Sequence, residues 1–293
     1  MVQAMMDLHC DTLTREGFPG GEREPGRPFF DQSRYQLAVS RLPAGARDVQ
    51  CFAIFVPDNL RGAEAEAYFD HYAADYHRQM AADPRMADCR SAGEMEAALK
   101  AGKMAGILTV EGGSALGGKL ERVDTLYEAG VRMLTLTWNG RNELASGHDT
   151  GEGFTAFGRE AVAALEERGI LVDVSHLNDR GFEELLTLAK KPFVASHSNA
   201  RAVCGHRRNL PDAFIREMVA RRCLIGLNYC RRFLTDSGES SREDLWRHAE
   251  HFLELGAEDC LALGSDYDGA DVPEDLNSVE KALGLGDYLV GRG

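Results

Sequence analysis

The sequence predicts an α/β protein with a (β/α)8 barrel of the TIM type, spread over residues 1–293 as one domain. Three observations predict it. Eight short runs rich in Val, Ile, Leu and Met read as buried strands. Segments with helical patterning separate most of them, and strands alternating with helices imply a parallel sheet. Side chains able to bind metal fall at the ends of strand after strand, and in a closed barrel those ends form one rim.

The first run, 5–11, ends in His-Cys-Asp. A stretch rich in Gly, Pro and Glu follows at 15–27 and reads as a lid or a surface excursion. The second run, 49–56, precedes a helix over 63–81. The third, 104–110, precedes one over 120–129. The fourth, 131–137, leads through a polar, Gly-containing loop at 140–153 into a helix over 157–168. After the fifth run, 170–175, Asn178 and Asp179 open a helix over 179–190. The sixth run is 192–196. Pro211 and Asp212 open the helix 211–221, which leads to the seventh run, 223–228. Ser240 and Ser241 can cap the helix 241–255 before the eighth run, 260–265. Only 25 residues lie beyond Asp268, which leaves little room for a full final helix and predicts a short or truncated last element. An open doubly wound sheet is the alternative. Against it, Gly112–Gly113 and Gly117–Gly118 follow the third run, not the first, and make no GxGxxG.

Composition narrows the function. Hydrophobic residues are 44% and charged residues 27%, an ordinary globular mixture. The formal net charge of −14 repels phosphate backbones, so nucleic acid is not an expected partner. No run of 18 apolar residues occurs, so no membrane span is expected. The first eleven residues have neither a basic start nor an apolar core, which predicts no secretory signal and a cytoplasmic protein. Seven scattered cysteines without a CxxC pair read as reduced, mostly buried thiols.

The chemistry concentrates at the strand ends. His9 and Asp11 close the first run, Glu111 the third, His176 the fifth, His197 the sixth and Asp266 the eighth. Residues i and i+2 on a strand share a face, so His9 and Asp11 can reach one ion while Cys10 points away. Each of these residues alone is more simply a polar strand end, a turn former or a packed histidine. Six of them on one rim are not. Three imidazoles with two or three carboxylates suit Zn²⁺, with Mn²⁺ or Co²⁺ as substitutes, and exceed what one tetrahedral ion needs. Two ions bridged by a carboxylate would use the surplus, and Glu111 is the natural bridge. His71, His77, His248 and His251 lie in helical segments and read as packed or solvated. His148 and His206 lie in rim loops.

These motifs resemble the membrane (renal) dipeptidase family. The carriers are Asp-Leu-His-Cys-Asp, Val-Glu-Gly-Gly, Leu-Thr-Leu-Thr, Val-Asp-Val-Ser-His, Ser-His-Ser-Asn-Ala, Arg-Arg-Asn-Leu-Pro-Asp and Gly-Ser-Asp-Tyr-Asp-Gly, in that order from Met6 to about Asn277. The resemblance implies a two-zinc barrel dipeptidase, usually a homodimer. It implies His9 and Asp11 on one ion, His176 and His197 on the other, and Glu111 on both. A metal-bridging hydroxide would then cleave the peptide bond. Asp266 matches the family's catalytic carboxylate, and Arg208 matches the arginine that holds the substrate's terminal carboxylate, with Arg207 the lesser candidate. A C-terminal D-residue is often accepted in the family. The family's substrate-binding histidine after Leu-Thr-Leu-Thr is replaced here by Trp138, which can donate one hydrogen bond but cannot be a base. Asn139, Arg141 or His148 would then supply that contact. With no signal or lipid anchor in the sequence, the soluble bacterial type is the closer likeness. The rivals are another amidohydrolase-type metal hydrolase on the same barrel, which would commonly open with His-x-His, and a barrel kept only for binding.

Overall fold

The computed structural model describes residues 4–17, 21–43 and 47–292. Residues 18–20, within the stretch expected to be a lid or excursion, lie outside the described residues. In chain order, β1 is Ala4–Cys10, β2 Arg47–Phe55, α1 Gly62–Ala82, β3 Met86–Asp88, α2 Ala92–Lys100, β4 Met104–Glu111 and α3 Arg122–Glu128. Then come β5 Met133–Thr135, α4 Ala156–Arg168, β6 Leu171–Asp173, α5 Asp179–Leu188, α6 Asp212–Ala220 and β7 Ile225–Asn228. Finally α7 is Arg231–Leu234, α8 Arg242–Glu254, β8 Leu261–Gly264 and α9 Val279–Val290.

All ladders are parallel, in the order β6-β5-β4-β2-β1-β8-β7, with the short β3 beside the start of β4. The two ends of this sheet are joined by the segment expected as the sixth strand. Asp173 bridges to Val194 and Ala195 bridges to Ile225, so residues 194–195 link β6 to β7 by single bridges instead of a full ladder. The reason lies in Asp173. Its Oδ1 accepts the backbone N–H groups of Ser175 at 3.0 Å and Ser196 at 2.8 Å, donors that a continuing ladder would have used. Close approach adds to this. A Cβ on Gly226 would sit 1.9 Å from the Ser196 carbonyl oxygen, and one on Gly264 would sit 2.1 Å from it. Only glycine lets β7 and β8 pack that tightly against residue 196.

Two layers of core follow from strand alternation. Leu8, Cys51, Met133 and Val194 form a buried cluster with Met6, Ile107, Leu224 and Ala262 inside the ring of strands. A larger cluster, including Phe52, Leu108, Leu134, Val172 and Ile225, packs the outer strand faces against the helices. β1 carries a register shift between Asp7 and Cys10. Leu8 lies in the inner cluster, yet His9 also faces the ring's interior, as the contacts below require. The shift thus re-aims His9 and Asp11 to one side and leaves Cys10 in the outer core. Among the described residues no helix is long and apolar enough to cross a membrane.

Candidate metal centre

The strand ends bring His9, Asp11, Glu111, His176, His197 and Asp266 together. From His9 Nε2, Asp11 Oδ2 lies at 3.4 Å, Glu111 Oε2 at 3.7 Å and Asp266 Oδ1 at 3.8 Å. Glu111 Oε1 lies 2.9 Å from His176 Nε2 and 3.5 Å from His197 Nε2. Glu111 therefore turns one oxygen to His9 and the other to the remaining two histidines. All but Asp266 are buried residues, and Asp266 is half-buried. Backbone strain marks the same place: His176 and Asp266 adopt positive φ of 70° and 61°, uncommon for non-glycine residues.

The tautomers of two histidines can be read from their neighbours. His176 Nδ1 lies 2.9 Å from the amide oxygen of Asn139, an acceptor, so Nδ1 carries the proton. Ser196 Oγ donates to Asp173 Oδ2 at 2.5 Å, which leaves Oγ to accept from His197 Nδ1 at 2.7 Å. Asp173 Oδ2 also accepts from Thr135 Oγ1 at 2.5 Å, which fixes the carboxylate in place. Both Nε2 atoms are then bare lone pairs, and they face each other at 3.0 Å. Two acceptors so close repel unless they share a cation. Burial, with Arg208 and other cationic or imidazole neighbours, holds both rings well below the usual imidazole range, so protonation does not resolve the clash.

The charge balance points the same way. Burial would lower His9, but Asp11 and Glu111 outweigh it and push it up to about 10. Burial and the neighbouring Asp11 raise the Glu111 carboxyl well above its usual range. Among the described residues, His9 Nε2 and Asp11 Oδ1 are buried without a hydrogen-bond partner. Two neutral imidazoles, a third drawn towards protonation by crowded carboxylates, and orphaned ligand atoms together fit divalent cations, which would take the place of that proton.

The centre opens on a cavity of about 660 Å³. Trp138 lines it and packs edge-on against Phe55, with ring centroids 4.9 Å apart. Asn139 lines it too, with its amide oxygen on His176. His148 is another wall residue. Its backbone N–H donates to His176 O at 2.9 Å, and its Nδ1 is buried without a partner among the described residues. Burial and Arg208 depress its imidazole to about 4. Arg141 pairs with Glu152 at 3.3 Å at the outer end of the same loop. Arg208 is buried below the wall, where Nη1 donates to Ser198 Oγ at 2.9 Å and Nη2 to His197 O at 2.8 Å. Its Nε has no hydrogen-bond partner among the described residues. Two of its five N–H donors are used, so others remain to be spent.

The strand-end logic missed one residue that it could have found. Asn228 ends β7, the strand end next to Asp266 to which no role had been given. Its Nδ2 donates to Asp266 Oδ2 at 3.0 Å and so holds that carboxylate at the edge of the cage. Ser196 and Asp173 were hidden for another reason: they act through His197 and carry no ligand pattern of their own.

The chain is similar over its length to known peptidases. The family model described as membrane dipeptidase, peptidase family M19, matches residues 2–293. A metallopeptidase from Rhodobacter sphaeroides, liganded with a phosphinate mimic of the dipeptide L-Ala-D-Ala, is 28% identical with a TM-score of 0.88, covering 100% of this chain and 94% of its own. The dipeptidase AC, a metallopeptidase of family M19, is 29% identical with a TM-score of 0.89, covering 100% and 93%. An uncharacterized protein in the pqqA 5′ region of Klebsiella pneumoniae is 32% identical over 207 residues, 67% of this chain and 76% of that one. The candidate cage at the strand ends and the match over nearly the whole length agree: the chain belongs to the membrane dipeptidase family, peptidase family M19, and is a metallopeptidase-type hydrolase acting on dipeptides.

Proposed function

We propose that the chain is a two-zinc dipeptidase. His9 and Asp11 would hold one ion, His176 and His197 the other, and Glu111 both. The observation that carries this reading is the pair of bare Nε2 atoms 3.0 Å apart over a single Glu111 oxygen, with His9 on the other oxygen. Zinc ions bound there would activate the attacking water and polarise the scissile carbonyl.

The chain's own groups do the rest. Arg208 supplies its unspent N–H donors to the terminal carboxylate of the dipeptide, a planar acceptor that a guanidinium fits. With that end closed, the cavity takes two residues and not a longer chain. His148, held neutral and with an unused Nδ1, hydrogen-bonds the substrate carbonyl region, a contact Trp138 cannot supply as a base. Asp266 Oδ1 accepts the proton of the attacking water and passes it to the leaving amine nitrogen. Asn228 keeps its other oxygen fixed during that transfer. Burial raises the Asp266 carboxyl above its usual range, which suits a group that must hold a proton briefly.

Dipeptides with a C-terminal D-residue are included in the proposal, supported by the dipeptide mimic bound to the Rhodobacter relative. A panel of L-L and L-D dipeptides, offered to zinc-loaded protein, tests the reading. Hydrolysis of dipeptides but not of tripeptides supports it. Equal cleavage of tripeptides would reject the closed carboxylate end.

A further inference from the structure

The cavity has a basic side that the mechanism above leaves unused. Arg15, Arg207 and Arg232 all line it. Two of them are engaged. Arg15 Nη1 donates to the Asp268 carbonyl at 2.7 Å. Arg207 pairs with Asp149 at 3.1 Å, but both side chains are about half exposed or more, and such pairs contribute little. Arg232 is exposed and forms no ion pair among the described residues. The nearby wall residue Asp271 is taken by Arg231 at 3.2 Å. An unpaired guanidinium at a cavity wall stands out in a chain of net charge −14.

Its position is defined by its neighbours. Phe233 follows it, with its ring 5.8 Å from the Arg208 guanidinium and 4.8 Å from the His206 ring. The backbone N–H of Arg208 donates to His206 Nδ1 at 3.1 Å. Arg207 adjoins Arg208 in sequence and Arg232 adjoins Phe233, and burial, with these arginines adding to it, lowers the His206 imidazole from its usual range. Arg232 and Arg207 thus stand on the Arg208 side of the cavity. That is where the C-terminal residue of a dipeptide would lie.

We propose that Arg232, backed by Arg207, is a specificity determinant that favours dipeptides whose C-terminal residue carries an acidic side chain. This rests on the dipeptidase reading and on Arg208 as the anchor of the terminal carboxylate. The side-chain carboxylate would meet a guanidinium that no ion pair among the described residues engages, whereas the neutral amide isostere could accept its hydrogen bond but brings no opposite charge.

The test is a set of isosteric pairs on the zinc-loaded enzyme: Ala-Asp against Ala-Asn and Ala-Glu against Ala-Gln, with the C-terminal residue in each hand and Ala-Ala as reference. The expected ratio of kcat/KM, acid over amide, is on the order of tenfold at low salt, the size of one charge-assisted contact. It should shrink as salt is raised. Arg232→Gln should bring the ratio close to one, and Arg232→Lys should keep part of it. A ratio near one in the unaltered enzyme, or one that survives Arg232→Gln, overturns the proposal. So does a uniform fall for acid and amide alike, which would assign Arg232 to the terminal carboxylate instead. If Ala-Ala and every other member of the panel resist hydrolysis, the dipeptidase reading itself fails and takes this proposal with it.

Discussion

A histidine presents a lone pair to a metal only if its other nitrogen keeps the proton, and here that choice is made two residues away from the ion. Asp173 takes the Ser196 hydroxyl proton, so Ser196 can only accept from His197 Nδ1. In Asp173→Asn the amide can donate to Ser196, which frees the hydroxyl to donate to Nδ1 and moves the histidine proton to Nε2. Zinc affinity should then fall about 10–100-fold, as for other groups behind a ligand. Nitrogen-15 spectra of metal-free protein should show the changed tautomer. An unchanged tautomer with unchanged affinity would remove Asp173 from this role. The proposed proton carrier gives a different signature. Asp266→Asn should keep zinc bound and lower kcat by about 10²–10⁴, the usual contribution of a positioned acid–base group. Full turnover would reject Asp266 as the carrier.

At the scale of elements, the close approach at residue 196 is the most exposed claim. Gly264→Ala places a Cβ 2.1 Å from the Ser196 carbonyl oxygen, so backbone must move. A loss of about 1–3 kcal/mol in urea unfolding is expected, as for other overpacked sites. No loss would mean that β8 and residues 194–196 are not held in contact. The helix α8 carries a second test. His248 is fully buried, accepts from Ala200 N–H at 3.1 Å and donates from Nε2 to Leu234 O at 3.0 Å. Burial depresses it to about 4. Its pKa is lower folded than unfolded, so between about 6.5 and about 4 the unfolded chain binds more protons. Stability is present above that window and is lost as pH falls through it, by at most about 3 kcal/mol. His248→Gln should flatten that slope in melting temperature against pH.

The sequence shows some elements plainly and hides others for physical reasons. Runs of buried strand such as 104–110 register as continuous apolar stretches, and amphipathic segments such as 157–168 register because one-sided burial imposes a period on them. β3 has three residues, Met86 to Asp88, too few to show a period. The segment 192–196 looks like a strand in composition but bonds through single bridges, since a side chain, Asp173, intercepts the Ser196 N–H that would continue the ladder. The candidate metal cage was legible because its residues all follow strand ends, which the fold gathers on one side. Asn139 was foreseen as a substrate contact, while its amide oxygen turns out to touch His176. Such partners carry no pattern that a single sequence reveals.

For the whole molecule, the ring of strands converts residues far apart in sequence into one site. His9 and Asp266 are brought to 3.8 Å by the pairing of β1 with β8. Metal should therefore stabilise the ring as well as activate it, because ions that bind only the folded cage draw the equilibrium towards it. Chelation is expected to lower the melting temperature and abolish dipeptide hydrolysis together, with both restored by zinc. A bridged cage holds two ions and not one. Elemental analysis of protein titrated with zinc until dipeptidase activity saturates should give two zinc ions per chain, and Glu111→Gln should lower that count. Full activity at one ion per chain, or with none, would contradict the two-ion cage.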